Sequence, residues 1–171
     1  KGRDDIQKFR TIVSSLLSEI ESAENALFLV HGRDIGTRDT VARFLEKMGL
    51  NVIILGEQPQ AGRAIIEKLE KYSNVSFSVV LLTPDDIGGL ADCEQQNLVP
   101  RARQNVILEL GYFVGKLGRN RVSVLYSEGI EIPSDYHGVG YILFDSHDGW
   151  KMGLAKELKE AGFNIEMALA I

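Results

Sequence analysis

From residue 26 to residue 144 the chain alternates short apolar runs with amphipathic stretches, and this alternation constrains the fold most. ALFLVH (Ala26–His31), NVIIL (Asn51–Leu55), FSVVLL (Phe77–Leu82), RVSVLY (Arg121–Tyr126) and YILF (Tyr141–Phe144) read as strands. The near-continuous apolar character of the first and third is what strands covered on both faces require. Thr37–Met48, Ala64–Tyr72 and Arg103–Leu117 lie between strands and carry helical patterns, and Trp150–Ala161 reads as a last helix.

Strands separated by helices imply βαβ units and a parallel sheet, and right-handed crossovers place helices on both faces. Five such strands predict an α/β, flavodoxin-like three-layer sandwich with a parallel sheet of order 2-1-3-4-5. In that topology a ligand lies beyond the carboxyl ends of the strands, at the switch point between strands 1 and 3. The informative segments are therefore Gly32–Gly36 after strand 1 and Thr83–Pro100 after strand 3. The second is read as a long loop, of a length associated with function.

The 171 residues are about one domain, and 44% hydrophobic with 25% charged residues exclude a disordered or low-complexity chain. No apolar run reaches the ~20 residues of a membrane span. A net charge of -5 argues against a duplex nucleic-acid binder. The single cysteine, Cys93, excludes an internal disulfide and suits a reducing, cytoplasmic compartment. The chain starts at Lys1 with no signal-peptide pattern and reads as part of a longer protein. Residues 1–24 are set apart from the domain at 25–171. Ile6, Phe9, Val13, Leu16 and Ile20 recur at helical spacing there, as a helix packed on the domain or as a connector to another.

The loop after strand 1, within HGRDIGTRD, offers His31, Gly32, Arg33 and Asp34 at the switch point. It has neither the G-x-G-x-x-G dinucleotide fingerprint nor a phosphate loop. A response regulator needs an acidic pair here and a lysine on strand 5, and both are missing. His31, His137, His147 and Cys93 match no metal-ligand spacing, so no metal is expected. In RARQNVILELGYFVGKL, Glu109 is the only charge between Val106 and Gly115. Helical spacing predicts Arg101, Asn105, Glu109 and Tyr112 on one stripe, beside a buried stripe of Val106, Leu110, Phe113 and Leu117. The pattern alone fits either a solvated face or a carboxylate retained for use.

HGRD, ILGEQPQAGRAIIEK, VVLLTPDDIGG and RARQNVILELGYFVGKLGR together resemble the bacterial TIR-like family of predicted nucleotide-binding proteins. Its members include effectors of cyclic-nucleotide-triggered antiphage systems. The resemblance covers roughly Ala26 to Phe163, and RxRQNVxxELGYF is its specific part. It implies a TIR-type flavodoxin-like fold and, in active members, cleavage of NAD+ to nicotinamide and an ADP-ribose product. NAD+ is then substrate, and no cofactor is expected. The family's catalytic glutamate falls on Glu109. The connection Gly56–Gly62 resembles the loop through which TIR domains self-assemble, so other copies of the chain and a sensor domain are the implied partners. Other members are scaffolds without activity.

The chemistry needs few groups. Nicotinamide leaves NAD+ neutral, and a carboxylate beneath the ribose can stabilise an oxocarbenium-like centre. Arg33, Arg101 and Arg103 suit the pyrophosphate, and each equally suits a solvated surface. Asp85 and Asp86 suit ribose hydroxyls or a cap on the next segment. Tyr112 suits an aromatic wall, whereas core packing is the better reading for Phe113.

Overall fold

A computed structural model of the chain describes residues 6–15, 25–57, 65–92, 94–133 and 138–170. Residues 6–15 form helix α1, whose Ile6, Phe9 and Ile12 are exposed. Leu16 and Ile20 of the expected helix, Cys93 and His137 lie outside the described residues.

The expected alternation is present. Strands β1 (Ala26–Val30), β2 (Asn51–Ile54) and β3 (Phe77–Leu82) are separated by helices α2 (Ile35–Lys47) and α3 (Ile65–Tyr72). The segment after β3 departs from the expectation of a structureless loop. It contains strands β4 (Asp86–Gly88) and β5 (Val99–Arg101), paired antiparallel, with a 3-10 turn at Gln95–Asn97 between them. Helix α4 (Gln104–Leu117), strands β6 (Val122–Tyr126) and β7 (Gly140–Leu143) and helix α5 (Gly149–Glu160) follow.

The main sheet has order β2-β1-β3-β6-β7, and every pairing in it is parallel. Leaving out the small ribbon, this is the 2-1-3-4-5 order of a TIR-type flavodoxin-like fold. Strands β1 and β3 are neighbours at its centre, with Leu29 beside Val79 and Val30 beside Val80.

Side chains alternate across the pleat, so each strand feeds two cores. Leu27, Leu29, Val79, Leu81 and Leu125 meet Val41, Phe44 and Leu45 of α2 and Trp150, Leu154 and Leu158 of α5. Phe28, Val30, Val80, Leu82 and Val124 meet Val106, Leu110 and Phe113 of α4 and Leu69 of α3. The rings of Phe28 and Phe113 are 4.8 Å apart. Full burial of such a ring contributes roughly 1.5–3 kcal/mol. Phe113 is thus a core residue that fixes α4 on the sheet.

The direction of α4 matters for the site. Near its end the Lys116 ammonium donates to Ser73 Oγ at 2.6 Å, and Tyr112 Oη is 2.9 Å from the same atom. Ser73 precedes β3, so α4 runs from the carboxyl edge of the sheet to its amino edge. Its first turns therefore belong to the switch-point end.

Candidate active site

The loop after β1 is shaped by short-range hydrogen bonds. Asp34 caps α2: its carboxylate accepts from the Thr37 N–H at 3.0 Å and from the Thr37 hydroxyl at 2.7 Å. These bonds lower the Asp34 pKa, since they favour the charged form. α2 accordingly starts at Ile35, ahead of the Thr37 start read from the apolar pattern. His31 lies just past β1, half-buried, with Nδ1 2.8 Å from the Gly32 carbonyl oxygen. That bond needs a proton on Nδ1, which leaves Nε2 of the neutral ring as an acceptor. Burial lowers the His31 pKa; Gly32, Glu57 and Asp85 pull it up, and Arg38 pushes it down.

The loop after β3 locks onto this one. Asp85 accepts the Arg33 N–H at 2.9 Å and the Thr83 hydroxyl at 3.1 Å. Its carboxylate lies so close to Gly32 that a methyl group there would overlap it. Arg33 also reaches Asp86, at 3.8 Å. His31, Gly32, Arg33, Asp34, Asp85 and Asp86 are thus one group at the carboxyl ends of β1 and β3.

A second group leads into α4. In the β4–β5 ribbon Asp86 is paired in register with Arg101, and Arg103 is the N-cap of α4. Arg101 is therefore a strand residue, and the four-residue helical stripe expected to include it begins instead at Asn105. Asn105 is exposed, and Glu109 is half-buried one turn further on. Burial pushes the Glu109 pKa up to about 7, against the opposing pull of Arg103. Among the described residues no hydrogen bond or ion pair joins the Glu109 carboxylate itself to the first group.

Tyr112 stands apart from both groups. Its hydroxyl contacts Ser73 towards the amino edge of the sheet, and its ring packs edge-on against Phe113, at 5.3 Å. The structure does not bring it to the switch point, because three residues along the helix carry it down the sheet. Two residues were missed. Arg38 and Glu57 both bear on the His31 charge. The signal for Arg38 was its place in the first turn of α2, four residues after Asp34. Glu57 has no local signal, since only the fold brings the end of β2 towards the end of β1.

The comparisons with known proteins agree with this architecture. Residues 6–146 match the family model described as CAP12/Pycsar effector protein, TIR domain. The chain is 52% identical over 147 residues to "Uncharacterized protein YuaY" of Escherichia coli K12, covering 84% of the chain and 48% of that protein. It is 40% identical over 125 residues to "Protein tirC" of Dictyostelium discoideum, covering 68% of the chain and 62% of that protein. It is 38% identical over 95 residues to "Pycsar effector protein PaPycTIR" of Pseudomonas aeruginosa, covering 52% of the chain and 30% of that protein. The chain spans about half the length of YuaY and less than two thirds of tirC. With the match running over most of the chain and the parallel sheet in TIR order, the protein belongs to the CAP12/Pycsar effector TIR domain family.

Proposed function

We propose that the protein is an NAD+ nucleosidase serving as the effector domain of a nucleotide-sensing antiphage protein. The observation that carries the reading is Glu109: a half-buried carboxylate, with a pKa pushed up to about 7, on the part of α4 nearest the switch point. Among the described residues it has no hydrogen-bond or ion-pair partner. A poorly solvated carboxylate interacts more strongly with an incoming cation than a solvated one does.

In the proposed reaction the bond between the nicotinamide nitrogen and the ribose C1′ breaks. Both electrons stay on nicotinamide, which leaves neutral without a general acid. Positive charge develops on the ribose, and Glu109 stabilises it. A water oxygen then bonds to C1′ and gives up a proton, leaving ADP-ribose. Approach of the cationic substrate favours the ionised form of Glu109 and lowers its pKa. Arg103 and Asn105 are the exposed polar groups offered to the dinucleotide, beside the Arg33–Asp86 pair. Asp34 and Asp85 are committed to backbone N–H groups and shape the loops instead.

The proposal extends to assembly. Ile87 and Leu90 at the ribbon and Leu108 on α4 are large apolar side chains left exposed, as are Ile6, Phe9 and Ile12 on α1. The first set suits contact with other copies, and the second suits a sensor domain of the same or a partner chain. Of the Gly56–Gly62 connection named for self-assembly, Gly56 and Glu57 belong to a 3-10 turn at Leu55–Glu57, and residues 58–62 lie outside the described residues. No described helix is long and apolar enough to cross a membrane.

The test is incubation of the protein with NAD+ and chromatographic detection of free nicotinamide, beside Glu109→Gln. Nicotinamide release that this substitution abolishes supports the reading. A protein that binds NAD+ and releases none under assembling conditions is a nucleotide-binding scaffold instead.

A further inference from the structure

We infer that Arg101 and Gly88 form a phosphate-binding subsite that takes the diphosphate of the dinucleotide. The inference rests on the nucleosidase reading for its ligand, and on the ribbon for its geometry. The antiparallel register pairs Asp86 with Arg101 and Gly88 with Val99, so Asp86, Gly88 and Arg101 share one face of the ribbon. Directly opposed opposite charges ordinarily pair across such a ribbon. Here the Asp86 carboxylate lies 3.8 Å from the Arg33 guanidinium, and the Arg101 guanidinium lies over Gly88. A methyl group on Gly88 would overlap its central carbon, so the bare glycine is the floor on which the guanidinium rests. Glu131 is bridged to Arg101 through the backbone and makes no ion pair with it.

The Arg101 Nε is buried and has no hydrogen-bond partner among the described residues. Buried donors of this kind are nearly always satisfied. A guanidinium held flat over Gly88, with its Nε uncommitted, presents a planar fork that suits phosphate oxygens. The other arginines of this region are placed differently. Arg33 is engaged with Asp86, Arg38 with Asp39, and Arg103 is an exposed cap that acts on Glu109. Arg101 stands two residues before that cap, on the segment that leads into the Glu109 helix. A diphosphate joined to the reacting ribose would lie beside such a centre.

The experiment is isothermal titration of the whole chain with inorganic pyrophosphate and with ADP-ribose, using the parent, Arg101→Gln and Gly88→Ala. Gly88 is not among the glycines with positive φ, so alanine suits the backbone there, and the atoms it meets first are those of the guanidinium. Both variants should weaken both probes by about tenfold or more, the loss expected of a charge-assisted bidentate contact. The exposed Lys156 on α5 gives the control, and Lys156→Gln should bind as the parent does. Equal binding by parent and Gly88→Ala, or no binding of either probe by the parent, overturns the subsite. The two readings fail separately. Nicotinamide release with an unchanged KM in Arg101→Gln would keep the nucleosidase and remove the subsite. Arg101-dependent pyrophosphate binding without nicotinamide release would do the reverse.

Discussion

The backbone N–H of Arg33 donates to the Asp85 carboxylate at 2.9 Å, across 52 residues of sequence. This bond joins the loops at the carboxyl ends of the two central strands, and Gly32 lets the carboxylate come close enough to make it. Asp85→Ala should remove the acceptor of the Arg33 N–H and the Thr83 hydroxyl and cost about 0.5–1.5 kcal/mol, since the Arg33 bond is exposed to water. Gly32→Ala should cost a similar amount by expelling the same carboxylate. Urea unfolding of both variants and of the double variant checks this. If the tie is real, the double variant loses less than the sum of the two.

Glu109→Gln keeps the side chain's shape and removes its charge. Nicotinamide release should fall by a factor on the order of 10²–10³, the loss usual for one preorganised electrostatic partner. NAD+ binding should persist. An active parent with an equally active variant would take Glu109 out of the mechanism.

The raised Glu109 pKa sets two pH dependences of opposite sign. Turnover needs the ionised form, so kcat/KM should rise with pH and level off above about 7, and Glu109→Gln should lack this limb. Stability runs the other way. Between the ordinary glutamate value of 4.5 and about 7 the folded protein holds a proton that the unfolded chain has lost. Folding therefore weakens as pH rises through this window. Glu109→Gln should melt higher than the parent at pH 8, by an amount on the order of 1–2 kcal/mol after solvent screening, and level with it at pH 4. Melting curves at the two pH values decide the matter.

Asp34 separates a capping role from a ligand-binding role. Asp34→Asn keeps an acceptor for the Thr37 N–H and should change stability little. Asp34→Ala should cost about 0.5–2 kcal/mol. Because bonding to Thr37 lowers the Asp34 pKa, its contribution is complete above the ordinary aspartate value and fades as pH falls through the lowered one. Denaturation at pH 7 and pH 2.5 measures both effects.

Assembly is tested through concentration. If neighbouring copies complete the site, nicotinamide released per molecule should rise with protein concentration. Leu108→Glu, at an exposed position on α4, should flatten that rise. Turnover per molecule that stays constant over a hundredfold dilution would mean a self-sufficient monomer.

The sequence by itself determined the elements and their order. Ala26–Val30 and Phe77–Leu82 are apolar on both faces, so they had to be central parallel strands with helices above and below. It also singled out Glu109, because a lone carboxylate in an apolar helical run is conspicuous whatever its use. The tertiary structure decided the rest. Asp86–Gly88 and Val99–Arg101 are too short to carry a period, and only their mutual hydrogen bonds make them a ribbon. That ribbon moved Arg101 off the helix and laid it over Gly88. Tyr112 shares a helix with Glu109 but is turned to Ser73, since the side chain's partner is set by what the helix packs against. The environments of His31 and Glu109 depend on burial and on charges distant in sequence, including Glu57 for His31 and Arg103 for Glu109. Periodicity encodes which face of an element is apolar. Through-space solvation and charge pairing arise only once the elements are assembled.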